Sequence, residues 1–218
     1  MTKRDKNFAF LLIALVLIMQ IVPAFAQGSV AKVWGQRYRS GGYWGVDTIQ
    51  TTPDPIIPYG SFTGGPNGIS DLTNGVFIES GPTKACDYDC GLHPYGSWGS
   101  ATDGDEFVDL SVWLGAGLQY RYRSNYIGNN QWQSVFCSGG SCRGMVTGNL
   151  GTNTLPYVVS GGESSGPQWV SITTKNAKYK PYNTTTWYSW CYLEKWMNVA
   201  GGSVTTCVTT NYSWRSRY

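Results

Sequence analysis

Charge is scarce in this 218-residue chain: Asp, Glu, Lys and Arg together make up 13% of it, and there is a single histidine, His93. With one imidazole available, a histidine-rich metal site is excluded, and any Ser-His or Cys-His chemistry would have to run through His93. Beyond the N-terminus no apolar run approaches membrane length. Ala, Leu, Lys and Glu, the residues of packed helices, are also sparse. Gly, Trp, Tyr, Thr and Ser dominate instead, which is the composition of strands joined by tight turns.

The one long apolar run, Phe8 to Met19, follows Lys3, Arg4 and Lys6 and precedes Ala24-Phe25-Ala26. That pattern predicts an export signal over residues 1–26 and a secreted, extracellular domain over 27–218 that has no membrane attachment after cleavage. Its removal takes Lys3, Arg4, Lys6 and Asp5 from 16 basic and 13 acidic side chains, leaving a near-neutral remainder without a basic stripe. Nucleic acid is therefore not the expected partner. About 190 residues make one substantial domain, and a monomer is expected.

All six cysteines fall in the mature part, and an even number in an exported chain favours disulfides. The pairing nearest in sequence joins Cys86 to Cys90, Cys137 to Cys142 and Cys191 to Cys207. A thiolate zinc site is not expected, because the spacings are not of the knuckle type. Asp103, Asp105 and Asp109 lack the terminal glutamate of an EF-hand. No metal or organic cofactor is expected.

Extended runs read at Val30 to Tyr38, Tyr43 to Gln50, Val76 to Ser80, Glu106 to Leu114, Leu118 to Arg123, Gln131 to Phe136, Leu155 to Ser160, Gln168 to Thr174, Thr185 to Leu193 and Ser203 to Thr210. Turn signals such as Gly41-Gly42, Gly128-Asn129-Asn130 and Ser138-Gly139-Gly140-Ser141 separate them. The expected fold is all-β: an antiparallel two-sheet sandwich or jelly roll, concanavalin-like. The Gly/Pro-rich stretch from Thr51 to Asn74 reads as a long surface loop.

Two glutamates stand out, because each closes an apolar extended run: Val76-Phe77-Ile78 leads into Glu79, and Leu155 to Val159 leads through Ser160-Gly161-Gly162 into Glu163. A carboxylate leaving a buried strand is costly to desolvate, so it is exposed at a loop, paired, or used for chemistry. Two carboxyls in one cleft cannot easily both ionise; one keeps its proton and the other becomes a base. The alternative is that both are ordinary solvated loop residues.

The order of motifs around them resembles the secreted glutamic peptidases, the eqolisins together with the neprosin group. Glu79-Ser80-Gly81 takes the place of the eqolisin glutamine and its Thr-Gly, Tyr95-Gly96-Ser97-Trp98 that of an aromatic segment, Gly104-Asp105 that of a turn opening a strand, and Glu163 that of the catalytic glutamate. The similarity runs from about Gly75 to Thr174, and glutamate at the first position is closer to neprosins, which use two glutamates. It implies a water-activating dyad, with Glu163 as base and protonated Glu79 as hydrogen-bond donor to the oxyanion, acid-active on polypeptides, with Tyr95 and Trp98 lining the cleft.

Two other classes remain open. A retaining glycosidase acting on polysaccharide would use the same two glutamates with carboxyls about 5 to 5.5 Å apart. A non-catalytic carbohydrate-binding or surface-interaction module would use the many aromatic rings instead. The match of Gly162-Glu163-Ser164-Ser165-Gly166 to a serine-hydrolase elbow is not followed by a helix, and His93 precedes the serine, so it is read as accidental.

Overall fold

The computed structural model describes residues 30–86, 89–100, 104–165 and 171–218. The chain divides into residues 1–30 and Ala31–Tyr218. The export signal expected over 1–26 lies outside the described residues, and the strands all belong to the second unit.

Fifteen strands and no helix are found among the described residues: β1 (Ala31–Thr51), β2 (Phe62–Gly64), β3 (Asn67–Asp71), β4 (Val76–Ala85), β5 (Leu92–Ser100), β6 (Gly104–Asp109), β7 (Gln119–Gly128), β8 (Gln131–Ser138), β9 (Ser141–Asn149), β10 (Leu155–Ser164), β11 (Ser171–Pro181), β12 (Tyr188–Ser189), β13 (Glu194–Met197), β14 (Ser203–Val204) and β15 (Trp214–Arg217). All pair antiparallel, as the alternating composition predicts.

The long strand β1 belongs to both layers. Its first half, through Tyr38, lies between β10 and β13; its second half, from Tyr43, lies between β7 and β11. The register breaks between Tyr38 and Tyr43, where Gly42 takes φ +69° and lets the strand turn from one sheet into the other. The front layer then runs β6-β5-β4-β2/β3-β10-β1-β13, and the back layer β9-β8-β7-β1-β11-β15-β14. The expected antiparallel sandwich is the observed fold.

Period-two alternation sorts side chains between the layers. Val33, Ile69, Ile78 and Val158 of the front sheet point inward, onto a core with Tyr43, Val46, Trp132, Trp190 and Trp214, all essentially buried. Between the sheets also runs a polar seam with no counterpart in the hydrophobic pattern. Asn67 Nδ2 donates to the Tyr122 carbonyl, Ser124 Oγ to the Asn67 carbonyl, Gln50 Nε2 to Ser160 Oγ, and Trp214 Nε1 to the Ser160 carbonyl. Most buried polar groups find partners in this way, and the pairs hold one sheet in register over the other, although Gln50 Oε1 and Asn67 Oδ1 have no hydrogen-bond partner among the described residues.

Three disulfides close sequence-local loops, Cys86–Cys90, Cys137–Cys142 and Cys191–Cys207, the pairing expected from sequence. The turn at Gly128-Asn129-Asn130 joins β7 to β8, with both asparagines at positive φ. One expectation is overturned. Thr51 to Asn74 is not all surface loop, because β2 and β3 lie inside the front sheet between β4 and β10, and Asn67 and Ile69 are fully buried. Glycines that read as a turn are there to leave a central strand bare on one side.

Candidate active site

Glu79 does not sit at a strand end, whereas Glu163 is the penultimate residue of its strand. Strand β4 continues through Glu79-Ser80-Gly81-Pro82 to Ala85, and β10 reaches Ser164. Alternation decides their direction: Ile78 and Ser80 are buried between the layers, as are Ser160 and Ser164, so Glu79 and Glu163 both face outward from the front sheet. The β2–β3 segment separates them, with Gly64 opposite Glu163 and Gly68 opposite Glu79. A side chain at Gly68 would crowd Glu79, and one at Gly64 would stand in contact with Glu163. A Cβ at Gly68 would lie 2.8 Å from the Glu79 Cβ, and one at Gly64 would lie 3.4 Å from Glu163 Oε1.

Over this bare floor the two side chains lean into one cavity of about 300 Å³, also lined by Phe62, Thr83, Ala85, Tyr95 and Phe107. A second cavity of similar size begins at Glu79 and extends along Lys32, Trp34, Gly68, Val76, Phe77 and Val159. Glu79 therefore stands where two cavities meet.

Tyr95 lies within the first cavity. Its hydroxyl donates to Glu79 Oε1 at 3.2 Å, and its ring stacks on Phe107 at 5.3 Å. Burial first, then the charge of Glu79, push the Tyr95 phenol well above its ordinary value, which keeps it a donor. Trp98 is elsewhere. Glu79 pairs with Ser97 and Ile78 with Trp98, so the indole faces the inner side, packs over Gly148 and donates from Nε1 to Glu106. The expectation that Trp98 lines the cleft is corrected: residues three apart on one strand face opposite ways, and nothing in the composition of Leu92 to Ser100 marks it as a strand.

The electrostatics of the pair are unequal. Burial raises the Glu79 carboxyl from 4.5 to about 8, the negative charge of Glu163 adds to this, and Lys32 and the Tyr95 hydroxyl oppose it. Burial also raises Glu163, but Lys32 pulls it back. The Lys32 ammonium lies 3.9 Å from Glu163 Oε2, and the Glu163 side chain is 13% exposed. The arrangement can keep a proton on Glu79 while Glu163 is ionised.

Lys32, Phe107, Phe62 and Thr83 do not stand out in the sequence. Lys32 was detectable in principle, since Lys32, Trp34 and Gln36 alternate along one face of a strand. What could not be read was which strand that face would lie beside. His93 is nearly buried, its Nε2 3.0 Å from Asp89 and its Nδ1 3.2 Å from the Val112 carbonyl, a structural clamp. Ser164 points between the sheets and is fully buried, which disposes of the serine-hydrolase match. Among the described residues no group of three or more His, Cys, Asp or Glu could hold a metal.

An outward glutamate pair on the front sheet of an antiparallel sandwich invites comparison with proteins of known structure, and the fold is glutamic peptidase-like. Two structures of scytalidoglutamic peptidase, one with a peptide-based transition-state analogue and one with a transition-state analogue inhibitor, superpose with TM-scores of 0.60 and 0.59 at 8% and 9% identity. SCP-B, a member of the eqolisin family in complex with the tripeptide Ala-Ile-His, gives 0.55 at 9%. Each comparison covers 87% of this chain and 100% of the other. No family model and no curated protein sequence matches.

Proposed function

We propose that the protein is a secreted endopeptidase that hydrolyses polypeptides with Glu163 as general base and protonated Glu79 as oxyanion donor. The observation that carries this reading is the shared cavity, in which two glutamates from non-adjacent strands face each other across a glycine floor while only Glu163 has a cation beside it.

The steps follow from that asymmetry. Ionised Glu163 takes a proton from a water as its oxygen attacks the scissile carbonyl carbon. Protonated Glu79, steadied by Tyr95, donates a hydrogen bond to the carbonyl oxygen as it becomes an oxyanion. On collapse the C–N bond breaks, and the proton held by Glu163 passes to the departing amine nitrogen. The second cavity, with Trp34, Val76, Phe77 and Val159 in its lining, offers apolar surface for the chain flanking the cleaved bond.

The working state needs Glu163 ionised and Glu79 protonated. It exists above the titration of Glu163 and below about 8, so activity extends from mildly acidic conditions toward neutrality and falls above about 8. The test is digestion of a denatured protein across pH 3 to 9 (roughly the range spanning both carboxyls), with fragments identified by mass spectrometry. Glu163→Gln should lower kcat/KM by about 10²- to 10⁴-fold. Equal cleavage by wild type and Glu163→Gln would refute the assignment, and release of sugars from polysaccharide with no peptide cleavage would move the pair to glycoside chemistry.

A further inference from the structure

Two carboxyls in a common cavity do not by themselves settle which one is the base. We propose that Lys32 is the positioning residue that settles it: its ammonium, anchored on a tryptophan stack, holds the negative charge on Glu163 and leaves the proton to Glu79. This rests on the glutamate-dyad reading and deepens it.

The placement comes from strand register. Lys32 of β1 lies directly opposite Glu163 of β10, on the same face, where cross-strand side chains meet. The contact is one-sided, since Nζ is 3.9 Å from Glu163 Oε2 while Glu79 lies beyond the intervening β2–β3 segment. A lysine stem free in solvent would hold no such preference. Here the ammonium sits 5.4 Å from the centre of the Trp34 ring, and Trp34 stacks on Trp196 at 4.8 Å. Trp34 Nε1 donates to Gln36 Oε1, Gln36 Nε2 donates to Glu194, and the Lys32 backbone N–H donates to Asn198 Oδ1. The stack is thereby tied at both ends.

No second cation competes. Among the described residues lining the two cavities Lys32 is the only lysine or arginine. Lys84, at the far end of β4, is 2.8 Å from Asp54. The groups around Glu163 are Lys32 from β1, Glu79 from β4 and Tyr95 from β5; β2 contributes only Phe62, Thr63 and Gly64. His93, two residues before Tyr95 on the same face, is engaged by Asp89, and Asp105 and Asp109 of β6 are exposed on either side of Phe107. Burial acts on both carboxyls, and the ammonium favours ionisation of both, but only Glu163 lies within ion-pair distance of it. Without Lys32 both glutamates would tend to hold protons, and the base would be lost across the mildly acidic range.

The test compares wild type with Lys32→Met, which keeps the aliphatic stem over Trp34, and Lys32→Arg, which restores the charge. Carboxyl carbon NMR follows the Glu163 titration directly and needs no activity. In Lys32→Met its midpoint should rise by about 1 to 3 pH units, and Lys32→Arg should bring it back. The acid limb of the kcat/KM profile should move by the same amount, the alkaline limb, set by the more distant Glu79, by less. A Glu163 midpoint in Lys32→Met within about half a unit of wild type, with near-UV circular dichroism unchanged, would overturn the role of Lys32 even if peptide cleavage is intact. A shifted midpoint in a protein that cleaves no peptide would overturn the peptidase reading and leave the Lys32–Glu163 pairing standing.

Discussion

Replacing Glu79 by glutamine should make the protein more stable at alkaline pH and leave its stability unchanged in acid. In the unfolded chain the carboxyl ionises around its ordinary value of 4.5, whereas in the folded protein it keeps its proton up to about 8. Between those limits the folded state binds more protons than the unfolded state, so stability is lost as pH rises, and the loss is complete above about 8. Below 4.5 both states are protonated and there is no penalty. The interval corresponds to about 5 kcal/mol if the side chain were wholly sheltered. Glu79 is partly open to its cavity, and solvent screening reduces the figure to about 2 to 5 kcal/mol. Glutamine does not titrate and retains a carbonyl to accept from the Tyr95 hydroxyl. Urea unfolding followed by tryptophan fluorescence, with the disulfides intact, should therefore give nearly equal stabilities at about pH 4 and a gain for Glu79→Gln of about 2 to 5 kcal/mol at about pH 9. That is roughly 5 to 15 °C in Tm for a domain of this size. A difference that does not change between those pH values would refute the reasoning, because it would mean that Glu79 ionises alike in the folded and unfolded chain.

Two further substitutions probe the floor and the back sheet. Gly68→Ala places a methyl group 2.8 Å from both the Glu79 Cβ and the Ile78 carbonyl; it should cost about 1 to 3 kcal/mol in urea unfolding and lower kcat more than it raises KM, and an unperturbed kcat would show that the glycine does not set the glutamate. Asp47, almost fully buried, accepts from both Arg121 and Arg123 across β1 and β7. Asp47→Ala strands two guanidinium groups, whose own exposure lets them turn to water, so a loss of about 2 to 3 kcal/mol is expected, and a change below about 0.5 kcal/mol would show the cluster to be no stronger than an ordinary surface pair.

Much of the site was visible along the chain because the relevant signals are local. Val76-Phe77-Ile78 before Glu79, and Leu155 to Val159 before Glu163, mark two carboxyls leaving apolar strands, and that needs no knowledge of neighbours. The same holds for Tyr95, carried by the motif order around Glu79. The strand-end description fails for Glu79, because Ser80-Gly81-Pro82 reads as a turn, while Glu163 does close its strand but after Gly161-Gly162, which also read as a turn. In the fold those small residues continue the strands, Gly161 passing so close to Trp34 that a Cβ would lie 2.4 Å from the Trp34 Cβ. Likewise the Gly64 to Gly68 segment reads as loop, since nothing in its composition shows that it will be clasped between β4 and β10.

Strand content, antiparallel class, the three short-range disulfides and the two unusual glutamates were determined by the sequence alone, because composition, period-two alternation and cysteine spacing act over a few residues. The tertiary structure alone decided that β1 would serve both sheets, that a glycine strand would part the glutamates without filling the space between them, that Lys32 would come to rest against Glu163, and that Trp98 would turn to the inner side. Those outcomes depend on register between strands as far apart as residues 32 and 163, and a shift of one residue in that pairing would send every side chain of a strand to its other face.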